Sequence, residues 1–254
     1  GIIVGGRATL VVDTGMGPQS GEIVAREVQR LANNPIIYLV TTHSHPEHIT
    51  GEQAFPPNTV WIMPVAQKED MDENALKFIQ AFSQRSPQRK ALLRDVHLRA
   101  PDIVFDREAK IDLGGVTARL LWFGAAHTRG DTLILIEEDG VLLPGDIVQN
   151  KMFPIMPDDT ADPAGWLAIL DKVDALHPKL IVPDHGDAVG DASLIGKERN
   201  LLLFMQSRTH DLKSQGKSAD EVVQILGAEL KAKYPDFINP NAIEGGIRRF
   251  YAQQ

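Results

Sequence analysis

Cysteine is absent from the 254 residues. That excludes disulfides, thiolate-ligated zinc, iron–sulfur clusters and thiol nucleophiles together. Aromatic residues are few, at 6% of the chain, beside 43% hydrophobic and 24% charged residues. This composition is ordinary for a globular protein and excludes a collagenous or wholly disordered one. Long apolar runs are missing. Segments such as Ile36–Val40 are far short of the roughly 20 residues a membrane span requires. Positive charge is in deficit, with 26 Lys and Arg against 34 Asp and Glu, a net charge of −8. A surface of that sign disfavours nucleic-acid partners, whose affinity comes largely from cations on phosphates. No Gly-x-Ser-x-Gly elbow, phosphate loop or dinucleotide-binding glycine turn occurs, and Gly114-Gly115 sits between strands.

The length suits one large domain, or at most two. With no repeats and no linker, residues 1–254 read as a single domain. Cysteine usage leaves the compartment open between periplasmic or secreted and cytoplasmic. The first residue is Gly1, at the edge of a strand-like run, so upstream residues are expected to have been removed. A signal peptide is a candidate for part of them.

Strand-like and helix-like patterns alternate. Ala8–Val12 reads as a strand ending in the turn Asp13-Thr14-Gly15. Glu22–Leu31 reads as an amphipathic helix with Ile23, Val24, Val28 and Leu31 on one face, stopped by Asn33-Asn34-Pro35. Ile36–Thr41 is a strand of the fully buried kind, and Val60–Met63 another. A charged helical insertion covers about residues 66–100, broken near Ser86-Pro87. It reads as a solvated face or as a flap over a site. Strands follow at 103–105, 109–113, 116–123, 132–137 and 141–143, with hairpin turns at Gly114-Gly115 and Asp139-Gly140. A helix over 163–176, capped by Asp162, and a strand over 180–182 come next. A helical C-terminal extension from about residue 191 ends the chain, with a capping box at Ser218 and Glu221. The order implies an α/β fold of two mixed sheets packed together, with helices outside.

Three of the eight histidines fall within His43-Ser44-His45-Pro46-Glu47-His48, directly after a buried strand. Alternate residues of extended chain point the same way, so His43 and His45 share a side. Glu47 and His48 lie where a helix can begin. Neutral imidazole and carboxylate suit zinc, iron or manganese. Further potential ligands stand shortly after apolar strands: His127, Asp146 in Pro144-Gly145-Asp146, and His185 in Pro183-Asp184-His185-Gly186. His97, His177 and His210 have no partner pattern and read as structural or solvated, His97 being the one whose insertion could bring it to a site.

From Leu10-Val11-Val12-Asp13-Thr14-Gly15 to Pro183-Asp184-His185-Gly186 the chain resembles the metallo-β-lactamase superfamily. That family's pattern is His-x-His-x-Asp-His, a distant His, a bridging Asp and a last His. The resemblance implies an αβ/βα four-layer sandwich of two mixed sheets with a metal site at the sheet edge. It implies that His43, His45 and His127 hold one metal, that Glu47, His48 and His185 hold a second, and that Asp146 bridges them. Zinc is expected, two ions in number, with iron or manganese as other occupants. Asp13 is either a ligand-orienting residue or a turn residue. The family has Asp where this chain has Glu47. The longer side chain either still binds the second metal, weakens that site or acts only as a base.

A metal lowers the pKa of bound water to near 7 and polarises a carbonyl or phosphoryl oxygen, so no protein nucleophile is needed. Glu47 and Asp146 are the expected catalytic residues, Asp146 as a proton relay. Dedicated β-lactamases commonly carry Cys or Ser where Asp146 stands, so the resemblance favours a hydrolase of esters, lactones or amides. The alternatives are a mononuclear iron enzyme like the persulfide dioxygenases, using His43, His127 and Asp146, a β-lactamase proper, or a fold kept without turnover. The expected partner is a small-molecule substrate, with oligomeric state left open. The loop Val148–Asp162, with Met152, Phe153, Ile155 and Met156, reads either as an apolar wall for substrate or as packing against the late helices.

Overall fold

Three short apolar segments line up side by side: β2 (Ala8–Val12), β3 (Ile36–Val40) and β4 (Val60–Pro64). They pair in parallel, in register Val12↔Val40 and Val40↔Ile62. Parallel neighbours need crossovers of a dozen residues or more. Helix α1 (Gly17–Leu31) supplies the first, and the turn α2 (Pro46–Ile49) lies in the second. β1 (Ile2–Val4) adds antiparallel to β2, and β5 (Ile103–Phe105) adds parallel to β4 after helices α3 (Val65–Ser83) and α4 (Pro87–Leu92). The matched register brings the ends of β2 and β3 level. Loops that leave one edge of a parallel sheet are where ligand sites are commonly built.

The structure is a computed structural model that describes residues 1–156 and 159–253. Two compact units make up the chain: Gly1–Trp122 with Thr132–Asp139, and Phe123–Asp131 with Gly140–Gln254. The first unit also holds an antiparallel meander of β6 (Glu108–Asp112), β7 (Thr117–Leu121) and β8 (Leu133–Ile136). Gly114 and Gly115 make its first turn with φ of 91° and 83°, a conformation side chains resist. The core of this unit gathers Val11, Leu39, Ile49, Phe55, Trp61 and Met63, each buried and each worth about 1.5–3 kcal/mol of transfer free energy.

In the second unit β9 (Val141–Leu143) pairs in parallel with β10 (Leu180–Ile181). Helix α5 (Pro163–Asp174) connects them, its Trp166 buried and donating Nε1–H to the Ile147 carbonyl at 2.9 Å. Helices α6 (Ser193–Ser214), α7 (Ala219–Lys233) and α8 (Ala242–Gln253) follow and pack on one another. The capping box of α7 is formed: Ser218 N–H donates to Glu221 Oε2 at 2.9 Å, and Glu221 N–H donates to Ser218 Oγ at 3.3 Å. The Ser218 N–H, the Lys217 ammonium and the Ser218 hydroxyl pull the exposed Glu221 carboxyl down to about 2.

The fold class is the expected one, two mixed sheets flanked by helices. Three local readings change. Helix α1 starts five residues before Glu22, and Ile23 is 57% exposed. Val28 of the expected face is buried in the core with Val24 against it, while the closest backbone approach is at Gly21, where a Cβ would stand 2.0 Å from the Gly51 carbonyl oxygen. Small residues allow this closeness, and apolar periodicity does not register them. Ile36 is exposed, so β3 is deeply buried only at Leu39 and Val40, toward the histidine loop. Asp162 occupies the N-cap of α5, but its side chain makes no cap bond and accepts instead from Gln253 Nε2 at 3.1 Å. Among the described residues, no helix is long and apolar enough to cross a membrane.

Candidate metal centre

The chain leaves β3 into a buried polar loop, Thr41 to His48. Pro46 starts the short helix α2, which places Glu47 and His48 on its first turn. His43 Nε2 and His45 Nδ1 are 3.0 Å apart, and the His43 and His48 ring centroids are 4.0 Å apart. Asp13, at the end of β2 with φ of 62°, ties this loop down. Its carboxylate accepts from Thr42 N–H at 2.7 Å and Thr42 Oγ1 at 3.0 Å, and lies 3.0 Å from His48 Nδ1. A carboxylate on Nδ1 fixes the tautomer that leaves Nε2 as the ligand nitrogen. Burial works to raise the Asp13 pKa. The charge of His48, its hydrogen bond and the Thr42 N–H outweigh that and hold the carboxyl below its ordinary value. Ser44 Oγ donates to the buried Asp70 of α3, which also accepts from Asn74 Nδ2 at 2.9 Å.

The second unit carries its own set. Asp146 lies in a 3₁₀ turn, Gly145–Ile147, just after β9. Its two oxygens face two imidazoles: Oδ2 is 3.3 Å from His127 Nε2, and Oδ1 is 3.4 Å from His185 Nε2. His127 is fully buried, its Nδ1 2.7 Å from the Ile155 carbonyl and its ring 5.9 Å from that of Trp166. That carbonyl does for His127 what Asp13 does for His48. Asp131 clasps the His127 loop by accepting from the N–H groups of Ala126 and Thr128 and from Thr128 Oγ1. His185 follows β10. Gly186, with φ of 88°, lets the chain press on Asn150, since a Cβ there would lie 1.7 Å from the Asn150 carbonyl oxygen.

Two ligands bound to one tetrahedral ion at about 2.0–2.1 Å sit roughly 3.3 Å apart. The pairs His43–His45, His127–Asp146 and Asp146–His185 have spacings of 3.0, 3.3 and 3.4 Å. Glu47 Oε2 is buried and has no hydrogen-bond partner. A carboxylate oxygen withdrawn from water is costly without a cation or donor. The donor set therefore fits a divalent metal, and all seven expected residues are candidate ligands. His43, His45, Glu47 and His48 are grouped in the first unit, and His127, Asp146 and His185 in the second.

Several residues fall elsewhere. His97 is exposed, with its backbone N–H on Gln53 Oε1, and His210 is exposed on α6. His177 ends the turn after α5 with φ of 49°. Of the two readings of the Val148–Asp162 loop, Phe153 follows packing: it is buried, with the rings of Phe237 and Tyr234 5.4 and 6.2 Å away. Residues 157 and 158 of that loop lie outside the described residues. Sequence reasoning gave no role to Asp70, Asp131 or the Ile155 carbonyl. Only Asp131 had a local signal, three residues after Thr128.

Asp13→Asn separates the two readings of that residue. Asparagine tolerates positive φ, so a pure turn role predicts little change. An orienting role predicts metal affinity weakened about 10–100-fold with an unaltered far-UV spectrum. A chelator competition assay measures the difference.

Comparison with known proteins places this architecture. A family model for the metallo-beta-lactamase superfamily matches residues 1–185. The chain is 21% identical, over 255 aligned residues, to a linear primary-alkylsulfatase of Pseudomonas sp. (strain ATCC 19151). The match covers 85% of this chain and 47% of that protein, so the chain spans about half the length of the curated relative it matches. Among solved structures, a metallo-beta-lactamase from Pontibacter korlensis superposes with TM-score 0.65 at 19% identity, over 80% of this chain and 85% of that one. The stereoselective inverting sec-alkylsulfatase Pisa1 from Pseudomonas sp. superposes with TM-score 0.73 at 15% identity, over 99% of this chain and 46% of that one. At such identities these structures show a shared fold.

Proposed function

Since the chain belongs to the metallo-β-lactamase superfamily, we propose that it is a zinc-dependent hydrolase that takes two ions. By the family pattern His43, His45 and His127 would hold one ion, Glu47, His48 and His185 the other, and Asp146 both. The observation that carries this reading is Asp146, whose two oxygens each face a different imidazole. A bound divalent ion supplies Lewis acidity and an activated water at neutral pH. The chain's own residues do the rest. Asp13 and the Ile155 carbonyl hold His48 and His127 in one tautomer. Glu47 Oε2 takes up a proton as a general base, and Asp146 relays one to the leaving group.

The bond cleaved is an ester, lactone or strained amide, because a carboxylate, Asp146, stands where the family pattern would have the residue shared by the two ions. A second reading, a sulfate ester, is favoured by one observation. The likeness to the sec-alkylsulfatase extends over 99% of the chain and so includes the C-terminal helices. The test is a panel of aryl ester, lactone, alkyl sulfate and β-lactam, compared as kcat/KM with and without chelator. Turnover of an ester, lactone or sulfate that disappears on chelation and returns with zinc is the expected result. Hydrolysis persisting in metal-free protein overturns the reading. A β-lactam preferred far above the others overturns the bond class. Iron content with oxygen uptake on a persulfide makes the chain a dioxygenase instead.

A further inference from the structure

Residues 85–94 carry four cations, Arg85, Arg89, Lys90 and Arg94, and no carboxylate, in a chain of net charge −8. Helix α3 stops at Ser83, and α4 restarts at Pro87, with Ser86 Oγ accepting from Arg89 N–H at 3.2 Å. This turn brings two of the cations to one aromatic ring. The Arg85 Cζ lies 3.8 Å from the Phe82 ring centroid, and the Arg89 Cζ 5.4 Å from the same centroid. Phe82 is buried, its ring centroid 5.9 Å from that of His45. Phe78, half-buried, meets His45 edge-on at 4.8 Å. Two guanidinium groups therefore stand one ring away from a candidate metal ligand.

Five of the nine arginines of the first unit are ion-paired: Arg7 with Asp112, Arg26 with Glu22, Arg30 with Glu27, Arg99 with Asp102 and Arg119 with Glu108. Among the described residues, no carboxylate lies within ion-pairing distance of Arg85 or Arg89. Burial and the like charge of Arg89 both lower the Arg85 pKa, with Glu47 acting against them. The pair is thus a concentration of positive charge beside the histidine loop, with Glu47 acting on it from beyond ion-pairing distance. Guanidinium forks match the planar and tetrahedral oxyanions of carboxylate, sulfate and phosphate.

We propose that Arg85 and Arg89, seated on the Phe82 ring, form a subsite for an oxyanion of the substrate, so that the molecule this chain takes is an organic anion whose apolar part lies along the half-buried Phe78. Sulfate, phosphate and carboxylate share the required chemistry. The assignment of that anion as a substrate rests on the hydrolase reading, whereas its binding does not. The bland alternative is a solvated basic face.

Calorimetric titration at low ionic strength decides between them, with hexyl sulfate, hexyl phosphate, hexanoate and uncharged hexanol as probes. The metal-loaded and the chelator-treated protein are both titrated. At least one anion is expected to bind in both forms, and which of the three binds tightest identifies the group. Arg85→Ala and Arg89→Ala should each weaken it at least about 10-fold. Arg85→Lys, which keeps the charge without the fork, should fall between. Arg94 lines a different groove, with Ile79, Lys90 and Leu93, so Arg94→Ala should leave affinity unchanged. Equal loss in the Arg94 variant, unchanged affinity in the other two, binding only when metal is present, or no anion binding at all would overturn the subsite. Absent hydrolysis of every substrate with anion binding intact would remove the hydrolase reading and leave the subsite standing. Turnover of neutral esters without anion binding would do the reverse.

Discussion

Asp146→Ala is expected to strip metal from the protein and to lower kcat/KM by at least about 10²-fold, the scale of a lost electrostatic or general acid–base contribution. The side chain is buried, and each oxygen faces an imidazole, His127 on one side and His185 on the other. Alanine leaves both rings in place but removes the anion between them. Metal content is the decisive readout because it does not depend on knowing the substrate. Elemental analysis of protein purified without added metal should fall from about two equivalents to one or none. Stability should fall with it, since an ion at 100 times its Kd stabilises the native state by about 2.7 kcal/mol. Adding zinc should raise the melting temperature of the wild type more than that of the variant. A variant that keeps full metal content, or a wild type whose melting is indifferent to zinc, would show that Asp146 is a structural carboxylate held by two histidines. Asp146→Asn refines the result. It keeps one oxygen and the volume, so a metal loss as large as that of alanine would point to charge over shape.

The site was legible where its parts are close in sequence. Four potential ligands within six residues after a strand cannot be spread apart, and alternation in extended chain puts His43 beside His45 at 3.0 Å. The break at Ser86-Pro87 and the Ser218 capping box were legible for a similar reason, being rules about neighbours. What holds the ligands was mostly hidden. Asp70 reaches Ser44 from 26 positions away, and the Ile155 carbonyl, common to every residue type, marks no pattern. The Met152–Met156 loop shows the limit of composition. An apolar stretch looks the same whether it faces a substrate or a core, and the partners of Phe153 lie more than 80 positions later, at Tyr234 and Phe237. Helix α1 was legible in half. Val28 of its apolar face is in the core with Val24 packed on it, yet Ile23 and Leu31 are exposed, and the closest backbone approach belongs to Gly21, which has no side chain to count.

Glu198→Gln is expected to flatten the pH dependence of stability and to make the protein more stable at high pH. Glu198 lies on α6 and is buried. One of its oxygens accepts from the Gln149 backbone N–H, while Oε1 has no hydrogen-bond partner. It lines a cavity of about 210 Å³ with Gln149, Asn150, Leu194, Leu201 and Phe237. The other charged groups on that cavity are Lys151, Lys197 and Asp236, and Lys151 is engaged by Asp187 and Asp236. Burial pushes the Glu198 carboxyl up to about 8, against 4.5 in the unfolded chain, with the Gln149 N–H opposing only in part. Between those two values the folded protein holds a proton that the unfolded chain has released. Stability must therefore fall as pH rises through that window, by up to 1.36 kcal/mol per pH unit and on the order of 5 kcal/mol in all. Glutamine, neutral at every pH, removes this contribution. Denaturant unfolding from pH 5 to pH 9 should give curves for the two proteins that meet near the acid end and diverge with rising pH, the variant above. Histidine and metal titrations occur in both proteins and cancel in the difference. Parallel curves would mean that a cation already neutralises Glu198 in solution, with Lys197, which lines the same cavity and has no ion pair of its own among the described residues, the candidate. Adding Lys197→Met to the comparison would then restore the divergence.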